Sequence, residues 1–193
     1  MVHRFERAED WAEQFDDPAR AAWQRPQAVV AAMEIAPGMT VADVGAGTGY
    51  FEPHLSRAVG AEGQVLALDI EPDMVRYLSE RAQREQLANV RPALAQTDDP
   101  KLPLGQVDRV LMVDTWHHIA ERVAYAQKLR AALRPDGRLY IVDFKLEATH
   151  GPPHEHRLSA AAVIEELAAA GMHAEVSTLE LPEQYVVVGK LTP

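Results

Sequence analysis

In the segment Val41-Ala-Asp43-Val-Gly45-Ala-Gly47-Thr-Gly49-Tyr-Phe51, an apolar run that ends in an acid leads directly into three glycines at alternate positions. Glycine permits a sharp turn from a strand into a helix, and a ligand can lie against its backbone because no Cβ intervenes. In the dinucleotide-binding pattern, the third glycine instead follows the second by three residues. An acid two residues before the first glycine would repel a pyrophosphate but suit an ammonium group. The segment therefore predicts a ligand-binding turn between a strand and a helix.

This turn resembles the first motif of class I methyltransferases that depend on S-adenosylmethionine (SAM). The resemblance is to the generic bacterial small-molecule enzymes (methyltransferase type 11) and the ubiquinone/menaquinone methyltransferases. SAM joins a nucleoside to an amino acid, so it carries the ammonium group that Asp43 would suit. A second acid, Asp69, ends the strand-like segment 64–69, where Rossmann-like sheets place an acceptor for the ribose hydroxyls. The resemblance implies SAM as the cofactor, and a glycine turn with an unrelated acid is the alternative.

The composition indicates one globular domain without thiol chemistry. The hydrophobic fraction is 47% and the charged fraction 25%, which are ordinary for a soluble protein. The net charge of −10 argues against nucleic-acid binding, which needs positive charge to neutralise phosphates. No apolar run is long enough for a membrane span or a signal peptide, which predicts a cytoplasmic protein that binds no membrane. Since there is no cysteine, disulfides and thiolate metal sites are excluded.

Strand-like and helix-like segments alternate from residue 26 onward, which predicts a mostly parallel sheet with helices on both faces. Strands are predicted at 40–44, 64–69, 90–95, 107–113, 137–144, 173–179 and 184–190, and helices at 26–34, 50–59, 72–86, 120–133 and 159–170. Only Leu181-Pro182-Glu183 joins the last two strands, which is too short for a parallel crossover. The expected fold is therefore α/β, a Rossmann-like seven-stranded sheet that ends in an antiparallel C-terminal hairpin, as the resemblance also implies.

Two regions are expected: an N-terminal helical cap segment, residues 1–25, and a class I methyltransferase domain, residues 26–193. An amphipathic helix is predicted at 5–17 within the cap. Aromatic faces attract a sulfonium, so one role for the aromatic side chains is a wall over the methyl group of SAM. The other role is ordinary packing between the cap and the domain. The residues concerned are Trp11, Phe15, Trp23, Tyr50 and Trp116.

The resemblance implies a set of cofactor-binding residues. The glycine loop would hold the methionine end of SAM through backbone groups, Asp43 would face the ammonium group, and Asp69 would bind the ribose. Ile70 and Met74 would flank the adenine, or else belong to the core. Asp98 would accept a hydrogen bond from the adenine amino group, unless it caps a turn ahead of Pro100. The remaining candidates are Gly45, Ala46, Gly47, Thr48, Gly49, Thr97 and Asp114.

Histidines supply the catalytic candidates. His117 and His118 follow the fourth strand, whose carboxyl end faces the ligand crevice of a doubly wound sheet. A histidine is a reasonable general base for a hydroxyl or thiol acceptor. The alternative is a structural pair that caps the helix and packs under the adenine.

A second histidine group lies in the segment His150-Gly-Pro-Pro-His154-Glu155-His156-Arg157, which is expected to overhang the crevice. Three roles are open: a metal site that adds His117 or His118, substrate recognition through His156 and Arg157, and a solvated surface loop. The spacing is weak for a metal site, so no metal is predicted, and His156 joins His117 and His118 as a catalytic candidate.

The predicted function is methyl transfer from SAM to a small-molecule acceptor. The alternatives are an RNA or protein methyltransferase, a SAM-binding protein without turnover, and a nicotinamide-dependent oxidoreductase. The glycine spacing and the antiparallel ending argue against the oxidoreductase, and the acidic charge argues against RNA. The sequence gives no prediction for the oligomeric state or for the atom that is methylated.

Overall fold

The structure is a computed structural model, and it describes residues 7–192. Its centre is a seven-stranded sheet in the order β3-β2-β1-β4-β5-β7-β6. The strands are β1 Thr40–Val44, β2 Gln64–Asp69, β3 Val90–Leu94, β4 Val107–Val113, β5 Leu133–Phe144, β6 Met172–Val176 and β7 Gln184–Leu191. Strands β1 to β5 run parallel, and β7 is antiparallel to both β5 and β6. The predicted fold class, including the antiparallel ending, is confirmed.

Within residues 7–192, seven α-helices surround the sheet. They are α1 Ala8–Phe15, α2 Arg20–Gln24, α3 Pro26–Ala32, α4 Glu52–Val59, α5 Pro72–Arg84, α6 Arg122–Ala132 and α7 Ala160–Ala169. Two 3-10 turns, Trp116–His118 and His154–His156, follow β4 and β5. Within residues 7–192, none of the helices has both the length and the apolar character that crossing a membrane requires.

The core lies on both faces of the sheet. All five residues of β1 are buried, as expected for a central parallel strand covered by helices on both sides. Because successive side chains of a strand point to opposite faces, Val41 packs with Leu55 of α4, whereas Ala42 packs on the face that holds α6 and α7. Asp43 therefore shares the face of Val41 and α4.

Several element boundaries differ from the prediction, and strand β6, predicted at 173–179, is found at Met172–Val176. Helix α4 begins at Glu52, because Tyr50 and Phe51 still belong to the turn that follows the glycines. Strand β5 begins at Leu133, which pairs with Val107 before the register shifts. The predicted first helix, 5–17, is described from residue 8 to residue 15, and its first two residues lie outside the described part.

The topology brings the ends of β1 and β4 together. Strand β1 pairs with β2 on one side and with β4 on the other. The order of the strands therefore reverses between β1 and β4, with β2 and β3 on one side and the later strands on the other. Ligands of open α/β sheets bind in the crevice outside the carboxyl ends at such a switch point. The glycine loop after β1, Asp69 after β2 and Asp114 after β4 all lie at this edge.

Candidate functional site

The glycine loop adopts backbone conformations that favour glycine. Gly45 has φ +82°, and a Cβ at this position would lie 2.3 Å from the hydroxyl oxygen of Thr115. Gly47 has φ +57°, but a Cβ there would meet only the ring of Phe15, at an ordinary 3.5 Å. The first glycine is thus required by the protein's own packing. The middle glycine faces the side of the loop that only the cap covers.

Asp69 is tied to this loop by hydrogen bonds. The backbone N–H of Gly47 donates to one carboxyl oxygen of Asp69 at 2.9 Å, and the N–H of Glu71 donates to the other at 3.0 Å. Burial raises the pKa of Asp69, although these two bonds favour its charged form. The predicted ribose acid therefore lies directly against the loop predicted to hold the amino-acid end of SAM.

Asp43 is paired with an acid that the sequence analysis did not single out. Its carboxyl group is buried and interacts electrostatically with that of Glu52, the first residue of α4, which is buried as well. Burial raises the pKa of Asp43 to about 7, and burial together with the charge of Asp43 raises the pKa of Glu52. Neither Glu52 oxygen accepts a hydrogen bond from a nitrogen or hydroxyl donor in residues 7–192.

Asp114 is the centre of a polar network between the cap and the sheet. Its backbone lies in the left-handed region, with φ +54°. The side-chain amides of Gln24 and Gln184 each donate to one of its carboxyl oxygens, and Arg20 lies 3.8 Å from it. Arg20 in turn donates to the amide oxygen of Gln24 at 2.9 Å. Burial, followed by the charge of Asp143, raises the pKa of Asp114 to about 7.

This raised pKa predicts a pH-dependent contribution of Asp114 to stability. Its folded pKa lies above its unfolded value of about 3.9, so the folded state holds the proton longer, and stability is lost as pH rises from about 4 to about 7. We expect the free energy of unfolding of the wild type to fall by about 3 kcal/mol more than that of Asp114→Asn over this range. Urea unfolding at a series of pH values measures the difference.

Asp136→Asn is a suitable control for that measurement, because Asp136 is exposed. Its pH dependence should follow the wild type. Parallel curves for wild type and Asp114→Asn would contradict the assignment.

His117 is held by an acid from the neighbouring strand. Its Nδ1 lies 2.9 Å from a carboxyl oxygen of Asp143, at the end of β5, and its side chain is only 4% exposed. Burial lowers the pKa of His117, but the hydrogen bond and charge of Asp143 and the charge of Asp114 outweigh it, so that the net shift is upward. An acid that fixes one ring nitrogen leaves the other as the proton-accepting atom. This is the arrangement of an oriented general base.

The other two histidine candidates are exposed. The ring of His118 lies next to that of His117, with 4.2 Å between centroids. His156 lies in the 3-10 turn after β5 and is solvent-exposed. Across residues 7–192, no three acidic or histidine side chains come close enough together to hold a metal ion. The three catalytic candidates therefore have different surroundings.

The guanidinium of Arg157 contacts the backbone along much of the loop 145–157. Arg157 donates to the backbone carbonyls of Lys145, Leu146, Ala148, His150 and Pro152. Glu183 accepts a further hydrogen bond from the backbone N–H of Thr149 at 2.6 Å. Arg157, one of the predicted substrate contacts, thus forms the framework of the loop.

The cap brings aromatic side chains to the glycine loop and to the loop after β5. Phe15 lies against Gly47 and stacks on Trp11, with 5.7 Å between centroids. Trp23 stacks on His150 at 5.4 Å and an interplanar angle of 11°. Tyr50 lies under the guanidinium of Arg20, whose Cζ is 4.4 Å from the ring centroid.

Trp116 lies elsewhere. It is completely buried among the core residues, and its indole N–H donates to Glu166. Trp116 is therefore a core residue and does not belong to the aromatic surface at the crevice.

The remaining cofactor-binding candidates differ in accessibility. Ile70 is 36% exposed, whereas Met74 is 1% exposed. Thr97 and Asp98 are exposed at the surface. Asp99, rather than Asp98, forms the turn around Pro100, because its carboxylate accepts the backbone N–H of Lys101 at 2.8 Å. Asp98 is therefore not held by that turn.

Several residues at this edge had no signal in the sequence analysis. Glu52 lies in the first turn of a helix, where acids are common. Gln24 and Gln184 are hydrogen-bonded to each other, but they are 160 positions apart in the chain. Asp143 resembles an ordinary strand end. One local feature of the sequence could have indicated that Glu52 is buried. It shares a face of α4 with Leu55 and Val59, which are apolar and buried.

Comparison with known proteins places this geometry in a family. A family model described as a methyltransferase domain matches residues 41–137, half of the chain. The chain is 33% identical over 103 residues to nocamycin O-methyltransferase of Saccharothrix syringae, which covers 53% of this chain and 37% of that protein. It is 27% identical over 134 residues to a ubiquinone/menaquinone biosynthesis C-methyltransferase of Shewanella frigidimarina, covering 69% and 51%. The chain thus spans about half, or less, of the length of these two relatives.

A solved structure is similar over almost the whole chain. The SAM-dependent methyltransferase from Aquifex aeolicus is 31% identical, with a TM-score of 0.88, and the alignment covers 95% of this chain and 98% of that one. Its full-length similarity agrees with the family match and with the glycine loop, Asp69 and antiparallel ending described above. This chain therefore belongs to the class I SAM-dependent methyltransferase family.

Proposed function

We propose that this protein transfers a methyl group from SAM to a small-molecule acceptor. The observation that carries the proposal is the hydrogen bond between Asp69 and the N–H of Gly47, at the carboxyl ends of β1 and β2. It joins the acid suited to ribose hydroxyls to the loop suited to the amino-acid end of the same ligand. Asp43, two residues before Gly45, adds negative charge where that ligand carries its ammonium group.

The residues present fit SAM. The buried carboxyls of Asp43 and Glu52 match a cationic ammonium group, and the loop at Gly47 would hold the neighbouring chain of the ligand through its backbone. Asp69 would accept the ribose hydroxyls, and Ile70 and Asp98 would flank the adenine from the exposed side. When bound, SAM supplies a methyl group already activated by the sulfonium. The protein's remaining tasks are to position the acceptor, exclude water and remove a proton where the acceptor carries one.

His117 is the side chain best suited to remove that proton. Its Nδ1 is fixed by Asp143, so its Nε2 is the atom that would accept a proton from a hydroxyl, thiol or amine. Trp23 and His150 form an aromatic surface at the same edge, and the buried ring of Phe144 lies behind it, 5.7 Å from Trp23. Such a surface suits a planar or apolar acceptor.

A small-molecule acceptor is also supported by the covered crevice and by the relatives. The cap is fastened to the domain by Arg81, which donates to Asp16 at 2.7 Å, and by Asp73, which accepts the N–H of Ala8. The two relatives are named as a nocamycin O-methyltransferase and as a C-methyltransferase of ubiquinone/menaquinone biosynthesis. The formal charge of −10 disfavours RNA as the acceptor.

A metabolite screen tests the proposed activity. The protein is incubated with SAM and fractionated metabolite pools, and mass spectrometry follows acceptors that gain one methyl group together with S-adenosylhomocysteine (SAH) formation. We expect SAH to form with a small molecule. SAM binding without SAH formation in any pool would favour a non-catalytic SAM-binding protein, and methylation of RNA or protein alone would contradict the acceptor class.

Asp69→Ala tests the cofactor assignment. The substitution removes a charged hydrogen-bond acceptor, and we expect SAM binding to weaken by about 2–3 kcal/mol in calorimetry. Asp69→Asn, which keeps one acceptor oxygen, should fall between Ala and wild type. NAD and NADP should not bind to any of the three proteins. Unchanged SAM affinity in a folded Asp69→Ala protein would contradict the ribose assignment.

A further inference from the structure

Glu52 is an anomaly in this structure. Its side chain is 1% exposed, yet neither carboxyl oxygen accepts a hydrogen bond from any nitrogen or hydroxyl in residues 7–192. Leaving a buried charged group without a donor costs several kcal/mol, so such groups usually hold a proton or face a cation. Among the charged groups, Asp43 acts most strongly on Glu52, and its carboxyl group is likewise buried.

The charged groups around the pair come from three elements. Asp69 from β2 adds negative charge, while Arg20 from α2 and Arg81 from α5 add positive charge. Both arginines donate their hydrogen bonds elsewhere: Arg20 donates to Gln24, and Arg81 donates to Asp16. Within the described part of the chain, no ion pair joins either arginine to Asp43 or Glu52. The pair therefore has no fixed cationic partner.

The pair also lies next to the glycine loop. A Cβ on Gly49 would lie 3.3 Å from a Glu52 oxygen, so Glu52 reaches the loop where it enters α4. Asp43 lies at the other end of the same loop, on the sheet face that carries α4. Two buried carboxyl groups, one from each end of the loop, thus act on each other electrostatically.

We propose that Asp43 and Glu52 together form the receptor for the ligand's ammonium group, and that they share one proton which is released to solvent when that group binds. The inference rests on the proposed function, since it concerns the same site. Without the ligand, one carboxyl group donates its O–H to the other, so only one negative charge is buried. The incoming ammonium donates to both carboxylates, and the shared proton passes to the buffer.

The physical reason is the repulsion between like charges at short range. Two buried carboxylates in contact cannot both ionise without a cation, so the pair titrates as a unit, with its second ionisation delayed. Burial and mutual charge raise the pKa of both groups, which agrees with a proton held near neutral pH. A cation that replaces the proton stabilises the doubly ionised pair.

Calorimetry with two ligands tests the inference in the wild-type protein. SAH carries the ammonium group, whereas 5′-methylthioadenosine has the same nucleoside but no amino acid. Between pH 5.5 and 7, we expect SAH affinity to rise about tenfold per pH unit and one proton to be released, as measured in two buffers of different ionisation enthalpy. Binding of 5′-methylthioadenosine should release none, and because it retains the ribose, it controls for the titration of Asp69.

Two variants sharpen the test. Glu52→Gln keeps the shape of the side chain but cannot share the proton, so its SAH affinity should be nearly independent of pH in this range. Glu62→Gln removes an exposed acid from the loop before β2 and should behave like the wild type. The comparison of the two ligands on the wild type stands whether or not Glu52→Gln folds.

The outcomes separate this inference from the proposed function. SAH binding without proton release, with the same pH dependence as 5′-methylthioadenosine, would overturn the shared-proton receptor and leave the SAM assignment intact. Failure of the wild type to bind either ligand would overturn the SAM assignment itself, and this inference with it.

Discussion

We expect Gly47→Val to abolish SAM and SAH binding while the protein remains folded. A Cβ at Gly47 would meet only the Phe15 ring at 3.5 Å, so the domain itself has room for a side chain there. The left-handed backbone at φ +57° costs about 1–2 kcal/mol for a residue with a Cβ. The same side chain would occupy the space in which the ligand lies against the loop. We expect affinity to fall by more than about a hundredfold, equivalent to about 3 kcal/mol.

Gly105→Val is the control variant, because it introduces a similar backbone strain at a position away from the proposed ligand site. Gly105 has a similar left-handed φ of +63°, with no atom within 4 Å of its added Cβ, and lies before β4, at the opposite edge of the sheet. Both variants should therefore be destabilised to a similar extent in thermal unfolding, but only Gly47→Val should lose the ligand in calorimetry. Normal SAH binding by folded Gly47→Val would refute the position of the ligand on the loop.

His117→Ala lowers turnover by about 10²- to 10⁴-fold once an acceptor with a transferable proton is identified. SAH affinity should change little, because the loss concerns the acceptor and the transition state. Asp143→Asn should also lower turnover, since Nδ1 of His117 loses its charged partner at 2.9 Å. Exposed His118 and His156 are expected to show smaller losses on substitution by Ala, again in turnover more than in SAM binding.

The pH–rate profile checks the role of His117 independently. His117 must be neutral to accept a proton, and its pKa is raised above the ordinary value of about 6.5. Turnover should therefore fall as the pH is lowered, and the midpoint of this acidic limb should lie above about pH 6.5. Asp143→Asn should move this limb to lower pH. Chelators should leave turnover unchanged. A limb that stays in place in Asp143→Asn, or activity abolished by a chelator and restored by zinc, would count against this mechanism.

Most of the sheet was predictable from the sequence, because buried parallel strands appear as continuous apolar runs. The predicted bounds of β1, β2 and β4 agree with the structure. Strand β5 was predicted from Gly137, since Pro135 and Asp136 have the character of a turn. Its true start at Leu133 depends on a pairing with Val107 that no local pattern reveals.

The candidate site was predictable only for residues that are near one another in the sequence. Asp69 was found from its distance to the glycines, and its contact with Gly47 follows from the parallel pairing of β1 and β2. The Asp114 network was not predicted, because Gln24 lies 90 positions from Asp114 and becomes its partner only when the cap folds onto the sheet. Glu52 was missed because an acid at a helix N-terminus is ordinarily solvated.

The five carbonyl contacts of Arg157 have a consequence for engineering. Most of the backbone contacts of the loop 145–157 come from Arg157 at its own end, while Glu183 and Trp23 hold only Thr149 and His150, so residues 146–156 form a replaceable cassette provided these two contacts are kept. Segments from related enzymes can be grafted between Lys145 and Arg157 without redesigning the sheet beneath. A small library of such chimaeras, each with the arginine retained, would alter acceptor choice while the cofactor half of the protein stays constant.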